Sequence, residues 1–287
     1  MSVEVVPASV AICTIGRPAL LRGCLQTLAL CRPRAAEVLI VDQSDDDQVI
    51  DVVAEFASIG ARRLACSRKG VALGRNLALQ ATKYETVLLT DDDCTVDPSW
   101  VARAFRHVQA SPDAIVTGRV LPGGDGAVPS TIASEAARSY TGPRVFATLH
   151  TGNMAARRDE VLSIGGFDER IRPAASDNDL CYRWLKAGRL VRYEPDLVVW
   201  HHDWRTTAEL ERRYVDYAVG QGMFYAKHLR RGDREIARRL IGYLQHGCRG
   251  TAARILRGRP PEPDWRQGIL RGLPVGLVRG WRVFKEP

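Results

Sequence analysis

Three observations in this 287-residue chain predict an α/β fold, with a mostly parallel sheet flanked by helices and a helical, basic C-terminal extension. Short, wholly apolar runs such as Val38–Val41 and Thr86–Leu89 alternate with segments of helical periodicity, the pattern of strands covered on both faces. Three runs end at Thr14, Asp42 and Asp91–Asp93, so one sheet edge collects polar and acidic groups where ligands bind in such sheets. Charge then changes along the chain. Residues 1–204 hold 23 Lys+Arg against 25 Asp+Glu, whereas residues 205–287 hold 18 against 8.

The elements follow in order. Ser9–Cys13 is a strand that stops before Gly16 and Pro18. Leu21, Leu25 and Leu28 then put one apolar stripe on a helix over Pro18–Leu30. Val38–Val41 is the next strand, closed by the acidic run Asp42–Asp47. Gln48–Ile59 reads as a helix, Leu64–Cys66 as a short strand and Ala72–Ala81 as a helix. Thr86–Leu89 is a strand that runs into Asp91-Asp92-Asp93, followed by a helix over Pro98–Gln109 and a strand over Ala114–Val120. Leu121–His150, rich in Gly, Pro, Ser and Thr, reads as a long loop with one helix near Ser130–Ser139. Loops of this length in compact domains are commonly functional. From Trp204 the pattern is helical and basic, interrupted by Gly and by Arg259-Pro260-Pro261-Glu262-Pro263.

Composition narrows the classes. No run approaches the roughly 20 apolar residues that cross a bilayer. The N-terminus lacks the early Lys or Arg of a signal peptide. Seven cysteines without a C-x-x-C pair fit reduced thiols and a cytoplasmic location better than a disulfide framework or a thiolate zinc site. The basic tail points to an anionic partner: a membrane surface, an acidic substrate or nucleic acid. It carries no RRM, zinc-finger or helix-turn-helix signature, which sets nucleic acid aside.

The chemistry-bearing residues cluster at the strand ends. Asp91-Asp92-Asp93 places three carboxylates after an apolar strand, and a hard cation such as Mg²⁺ or Mn²⁺ is the natural counter-charge for such a group beside a phosphate ligand. A solvated acidic turn is the plainer alternative. Asp42 reads equally as a turn cap or as an acceptor for a base or ribose hydroxyl. Arg75, after Gly70 and Gly74, reads as a helix-start cation or a contact to phosphate oxygens. Asp177 and Asp179, before a helix-like run, divide between an N-cap and a general base for a hydroxyl. His201, after the strand Leu197–Trp200, reads as a structural or surface histidine or as a further metal ligand beside the acidic motif. Gly165-Gly166 reads as turn chemistry with positive φ. In the tail, Gly268, Gly272, Gly276 and Gly280 form a helical stripe that permits close packing, beside Leu270, Leu273, Leu277, Trp281 and Phe284 and several arginines. That segment reads either as a surface for anionic membrane or as a packing face on the catalytic domain or a second subunit.

Taken in order, SVAICTIGRPALLRGCL, VLIVDQSDDD, GVALGRNLAL, VLLTDDDCTVDPSW, TGNMAARRDEVLSIGGFDE, SDNDLCYRWLKAG and LVVWHH resemble the family 2 glycosyltransferases of the GT-A fold, over Ser9 to His202. The resemblance implies an inverting transfer of a sugar from a nucleotide-sugar donor to a carbohydrate, lipid-linked or small-molecule acceptor. It implies Thr14, Arg17, Asp42, Arg75 and Asp92 on the nucleotide, and Asp91, Asp93 and His201 on Mg²⁺ or Mn²⁺. It also implies Asp177 as base with Asp179 beside it. The expected division is a catalytic domain over 1–204, its nucleotide half over 1–120 and acceptor half over 121–204, with the extension over 205–287. Two departures stand out: Ser176 replaces the Glu common before the base, and the VDQSDDD turn lacks the common Gly. The rival readings are a nucleotidyltransferase, for which Thr14-Ile15-Gly16-Arg17-Pro18 is a poor phosphate loop, and a non-catalytic nucleotide- or sugar-binding protein on the same scaffold.

Overall fold

The computed structural model describes residues 4–124, 131–143, 148–202, 205–256 and 265–285. The chain divides into two compact units: Met1–Phe167 with Leu180–Asp203, and Asp168–Asp179 with Trp204–Pro287. Asp168–Asp179 therefore belongs to the second unit, whereas the sequence places it inside the 1–204 domain.

The first unit alternates strand and helix as its apolar runs dictate. In chain order it contains β1 (Val5–Thr14), α1 (Pro18–Leu30), β2 (Arg34–Asp42), α2 (Gln48–Glu55), β3 (Ala61–Ala65), α3 (Val71–Ala81) and β4 (Thr86–Asp91). It continues with β5 (Cys94–Val96), α4 (Trp100–Ala110), β6 (Ala114–Pro122), β7 (Arg138–Tyr140), β8 (Met154–Arg157), α5 (Arg158–Ser163), the C-terminal part of α6 (Ser176–Lys186) and β9 (Leu190–His201). One nine-stranded sheet has the order β3-β2-β1-β4-β8-β6-β9-β5, with β7 on β9. The β3-β2-β1-β4 block is parallel, as is β6 with β9. Antiparallel pairs enter through β8, β5 and β7. The core packs Val10 and Ile12 of β1 with Leu21, Leu25 and Leu28 of α1 and Trp100, Val101 and Ala104 of α4, so the α1 stripe is buried as its spacing predicts.

Two elements differ from the sequence expectation. The helix over Gln48–Ile59 stops at Glu55 and continues as a 3₁₀ turn, Ala57–Ile59. Gly60 ends it at φ 77°, and a Cβ there would lie 2.9 Å from the Ala36 carbonyl oxygen, so the chain turns out of the helix into β3. The helix near Ser130–Ser139 is not formed. Ser130 lies outside the described residues, Ile132 bridges Val120, and Arg138–Tyr140 is strand β7 on the edge of β9. The backbone groups at Val191 and Tyr193 find their ladder partners in that segment, which overrides its modest helix preference.

The second unit is helical. It contains the first turn of α6, then α7 (Thr207–Leu229), α8 (Arg234–Leu256) and α9 (Trp265–Val283). A capping box starts α7: the Thr206 N–H donates to Glu209 Oε2 (2.8 Å) and the Glu209 N–H to Thr206 Oγ1 (3.4 Å). The glycine stripe of α9 lies against α7. A Cβ at Gly268 would come within 2.5 Å of the Tyr214 carbonyl oxygen, and one at Gly280 within 2.7 Å of Ala226 Cβ. Gly272 and Gly276 press on the Val215 and Val219 carbonyls in the same way. That stripe therefore packs on protein. The Pro-rich segment at Arg259–Pro263 lies outside the described residues, as does Trp204. Among the described residues no helix is long and apolar enough to cross a membrane.

Candidate active site

Sheet register brings the polar strand ends level. Thr14 on β1 pairs with Asp42 on β2, and Cys13 pairs with Asp91 on β4. After β4 the chain turns through Asp92 and Asp93 into β5, where Cys94 pairs with His201 at the end of β9. The His202 N–H donates to the Asp93 carbonyl oxygen (2.8 Å), which fixes the acidic turn to that strand end. Parallel strands that stop together thus place Thr14, Asp42, Asp91–Asp93 and His201 at one sheet edge.

The three carboxylates of the turn have different surroundings. Asp91 is the most open, at 27% side-chain exposure, and accepts from Arg75 Nη2 at 2.9 Å. Asp93 is 5% exposed and lies 3.2 Å from Arg17 Nη1 and 3.4 Å from His201 Nε2. Asp92 is enclosed. Its Oδ2 accepts from the Thr14 hydroxyl (2.6 Å) and its Oδ1 meets Arg17 Nη2 (2.5 Å). Burial, aided by the charges of Asp93 and Asp91, pushes the Asp92 carboxyl up to about 7, against the opposing pull of Arg17 and Thr14. Thr14 and Asp92, both expected on the nucleotide, are thus turned toward each other beneath the site.

Arg17, just before α1, bridges two of the carboxylates, and Arg75 of α3 faces the third. The Arg75 guanidinium also lies 5.7 Å over the Phe167 ring. Asp42 is buried, with Oδ2 on Arg63 Nε (2.7 Å) and Oδ1 accepting from the Ser44 N–H (3.0 Å). The VDQSDDD turn that lacks Gly is therefore held by its own Asx-type bond and by Arg63 of β3.

Several residues at this edge were given no role by the sequence. His150 stacks at a tilt with His201, ring centroids 6.3 Å apart, and its Nδ1 accepts from the Gly152 N–H (3.1 Å). Gly152 sits under Asp91, so a Cβ there would lie 2.9 Å from Asp91 Oδ2. Buried Asn153 joins the core to this edge. Its Oδ1 accepts from Trp100 Nε1 (2.9 Å), and its Nδ2 donates to the Arg119 and Leu197 carbonyls. Gln43, next to Asp42, donates to the Arg68 carbonyl (2.6 Å) and holds the segment before α3. The Gly-Asn pair before Met154 in the sequence was the available hint, since both residue types mark tight backbone geometry. Gly165 and Gly166 take φ of 85° and 59°, as their turn reading expects, and Asn76 caps the turn through Phe167.

The donor set suits a hard cation. Ligand atoms of Asp91, Asp93 and Cys94 lie within 4.8 Å of one another, and His201 reaches Asp93. Burial pushes the Cys94 thiol well above its ordinary range, and a hard cation prefers carboxylate oxygens to a thiol. Two carboxylates with an adjacent imidazole match Mg²⁺ or Mn²⁺ held jointly with phosphate oxygens.

The second acidic pair lies on the first turn of α6, in the second unit. Ala175 leads into it at φ 68°, a left-handed conformation unusual for a non-glycine residue. Asp179 is fully buried. Lys227 Nζ reaches both of its oxygens (2.7 and 2.8 Å) and His228 Nε2 lies 2.9 Å from Oδ1. Lys227 also meets Asp168 at 2.9 Å. Asp177 is half-buried, and its Oδ1 accepts from the Asn178 N–H at 2.9 Å. Asn178 donates to Gln221 of α7 (2.8 Å). Of the two, Asp177 is the more exposed carboxylate.

The pattern of Glycosyl transferase family 2 matches residues 9–162, more than half of the chain. The chain belongs to glycosyl transferase family 2. Within this family it is 31% identical over 148 residues to the pre-mycofactocin glycosyltransferase of Mycobacterium tuberculosis strain H37Rv. That match covers 48% of this chain and 31% of the relative, so the chain matches about a third of the relative's length. The fold is of the GT-A type. The structure of S. aureus TarS 1–349 in complex with UDP-GlcNAc superposes with a TM-score of 0.62 at 17% identity, covering 77% of this chain and 66% of that one. The mannosyltransferase PcManGT from Pyrobaculum calidifontis, in complex with GDP-Man and Mn²⁺, superposes at 0.59 with 16% identity, covering 95% and 73%.

Proposed function

We propose that this family 2 member transfers a sugar from a nucleoside-diphosphate sugar to an acceptor hydroxyl, with inversion at the anomeric carbon. The observation that carries the reading is the levelled edge where Asp91–Asp93 meet His201, with Arg17 and Arg75 at hand, in a chain of this family. The relatives bound to UDP-GlcNAc and to GDP-Man with Mn²⁺ support a nucleotide-sugar donor and a divalent cation.

Asp91 and Asp93, with His201 beside them, would hold Mg²⁺ or Mn²⁺, which when bound offsets the charge of the donor diphosphate. Arg17 and Arg75 are the groups that exchange carboxylate oxygens for phosphate oxygens when the donor enters. Asp42 and Arg63 form the polar wall toward the base and ribose. Asp92 and Thr14 hold the acidic turn from beneath. In the transfer step the acceptor oxygen bonds to the anomeric carbon and its proton passes to the Asp177 carboxylate. The bond from that carbon to the diphosphate oxygen breaks, and a nucleoside diphosphate leaves. Asp179 fixes the helix turn that carries Asp177.

The test is incubation with a panel of nucleotide sugars, Mn²⁺ or Mg²⁺, and carbohydrate, lipid-linked and small-molecule acceptors. Release of a nucleoside diphosphate and an inverted product linkage by NMR are expected. Release of pyrophosphate would establish the nucleotidyltransferase reading instead, and binding without turnover on any acceptor would favour a non-catalytic role. All seven cysteines are free thiols in the structure, which fits the proposed cytoplasmic site of action.

A further inference from the structure

The two readings of the C-terminal segment concern different faces of one helix. At about 100° per residue, Leu270, Pro274, Val278 and Arg282 stand nearly opposite the glycines at 268, 272, 276 and 280. The glycine face is buried on α7, whereas the opposite face is exposed. Leu270 is 39% exposed, Val275 42%, Val278 53% and Trp281 52%. Exposed Arg271, Arg279, Arg282 and Lys285 are interleaved with them. The Trp281 ring is held at the surface by Arg230, whose guanidinium lies 4.7 Å over it and donates to the Trp281 and Lys285 carbonyls. The helix Trp265–Val283 contains four arginines and no acidic residue.

We propose that this outward face of α9 docks on the surface of an anionic phospholipid bilayer. Charge decides among the possible occupants. A second copy would bring the same arginine-rich face against this one, in a segment of 18 basic and 8 acidic residues, so self-association is repelled. Nucleic acid would use the cations but leave Leu270, Val275 and Val278 without a partner, since aliphatic side chains find no match along a phosphate backbone. An anionic bilayer satisfies both sets: headgroups meet the arginines, and the apolar side chains and Trp281 enter the interface. The helix is already fixed on α7, so docking requires no folding of the segment. The inference is independent of the proposed transferase activity, because it concerns a surface and no sugar chemistry.

The experiment is sedimentation of the full chain with vesicles of phosphatidylcholine alone or with 30% phosphatidylglycerol, about, at low and high salt, without donor or metal. Co-sedimentation with the anionic vesicles only, weakened by salt, is expected. Each of Arg271→Gln, Arg279→Gln and Arg282→Gln is expected to weaken vesicle binding about fivefold, and the triple variant about a hundredfold. Val278→Ser with Trp281→Ser is expected to lower binding to anionic vesicles further, with unchanged circular dichroism. These side chains are exposed, so the fold should persist, and a thermal melt checks it. Wild-type protein remaining in the supernatant with anionic vesicles at low salt would overturn the proposal. So would equal binding by the triple variant. Concentration-dependent dimer mass by light scattering, lost in Val278→Ser/Trp281→Ser, would assign the face to a second copy instead. Displacement from vesicles by duplex oligonucleotide at equal phosphate, with tighter oligonucleotide binding, would assign it to nucleic acid.

Discussion

Asp177 and Asp179 sit two residues apart on one helical turn, yet their neighbours assign them different work. Asp179 is buried against Lys227 and His228, so Asp179→Asn leaves Lys227 with Asp168 alone. Removing one partner of a buried ion pair costs about 3–5 kcal/mol. Asp179→Asn is therefore expected to lower the urea midpoint, whatever its effect on rate. Asp177→Asn is expected to keep the wild-type melt and donor affinity while kcat falls by about 10²–10⁴-fold, the usual worth of a general base. Nucleoside diphosphate release checks this, and a stable, inactive Asp179→Asn beside an active Asp177→Asn would reverse the assignment. Gly152→Ala would place a methyl 2.9 Å from Asp91 Oδ2, so Mn²⁺ affinity by calorimetry is expected to drop while the fold survives. The strand-end positions of Asp42, Asp91 and His201 were legible in the sequence because each follows a run of apolar strand residues. The separate fate of Asp92 was not, because a triplet of identical residues does not show which member the turn points inward. Lys227 was silent for another reason: it meets Asp179 across 48 residues, and nothing local to α7 marks one lysine as a carboxylate partner.

The same division holds for elements. Helices α1, α3 and α4 were legible from leucine and valine spacing, and β2 and β4 from continuous apolar runs. Strands β7 and β8 were not, since three and four residues hold too little pattern to outweigh local propensity. Their identity comes from the ladders of β9, β4 and β6. The glycines of α9 were legible as a stripe, but which surface it met was decided only by α7. Gly276→Ala is expected to destabilise the protein by about 1–3 kcal/mol through overpacking against the Val219 carbonyl. The matching change in open space, Gly242→Ala in α8, is expected to stabilise it by up to about 1 kcal/mol. Urea melts of the two variants test the contrast. Protonation acts on the same helices. Burial holds His228 below its usual pKa of about 6.5, against the pull of Asp179, so a histidine neutral in the fold must charge on unfolding. Asp168 is pulled down to about 2, burial opposing and the Arg170 and Lys227 contacts prevailing. A depressed histidine costs stability as pH falls below about 6.5, and a depressed carboxyl loses its contribution as pH falls from about 4 towards 2. The two effects have the same sign. Over pH 7 to pH 5 the raised Asp92 carboxyl acts in the opposite sense to His228, so the check is a difference: the urea midpoint of His228→Gln is expected to gain on that of wild type as pH falls from 7 to 5.

For the whole molecule, the change in charge near residue 204 follows a change in structure. Acidic strand ends lie in the sheet unit, and the basic surplus lies in the helical one. Composition showed the change, but not that Asp168–Asp179 leaves the sheet unit, because membership in a unit is a property of contacts and not of residue type. Ligands for the two surfaces should therefore mark different parts of the chain. If the proposed reading holds, a nucleotide sugar with Mn²⁺ binds the folded sheet edge and not the unfolded chain, so at about 100 times its dissociation constant it should add about 2.7 kcal/mol to the unfolding free energy. Hydrogen exchange read by mass spectrometry is expected to slow at Thr14–Arg17, Asp42–Ser44, Asp91–Cys94, His150–Asn153 and His201–His202, with α8 unchanged. In Asp93→Ala the Mn²⁺-dependent part of both effects, measured against that variant's own metal-free melt, should vanish, because the proposed reading makes Asp93 one of the oxygen donors at the edge. Protection spread evenly over both units, or a thermal shift of equal size in excess chelator, would separate donor binding from the acidic turn and remove the basis for placing the cation there.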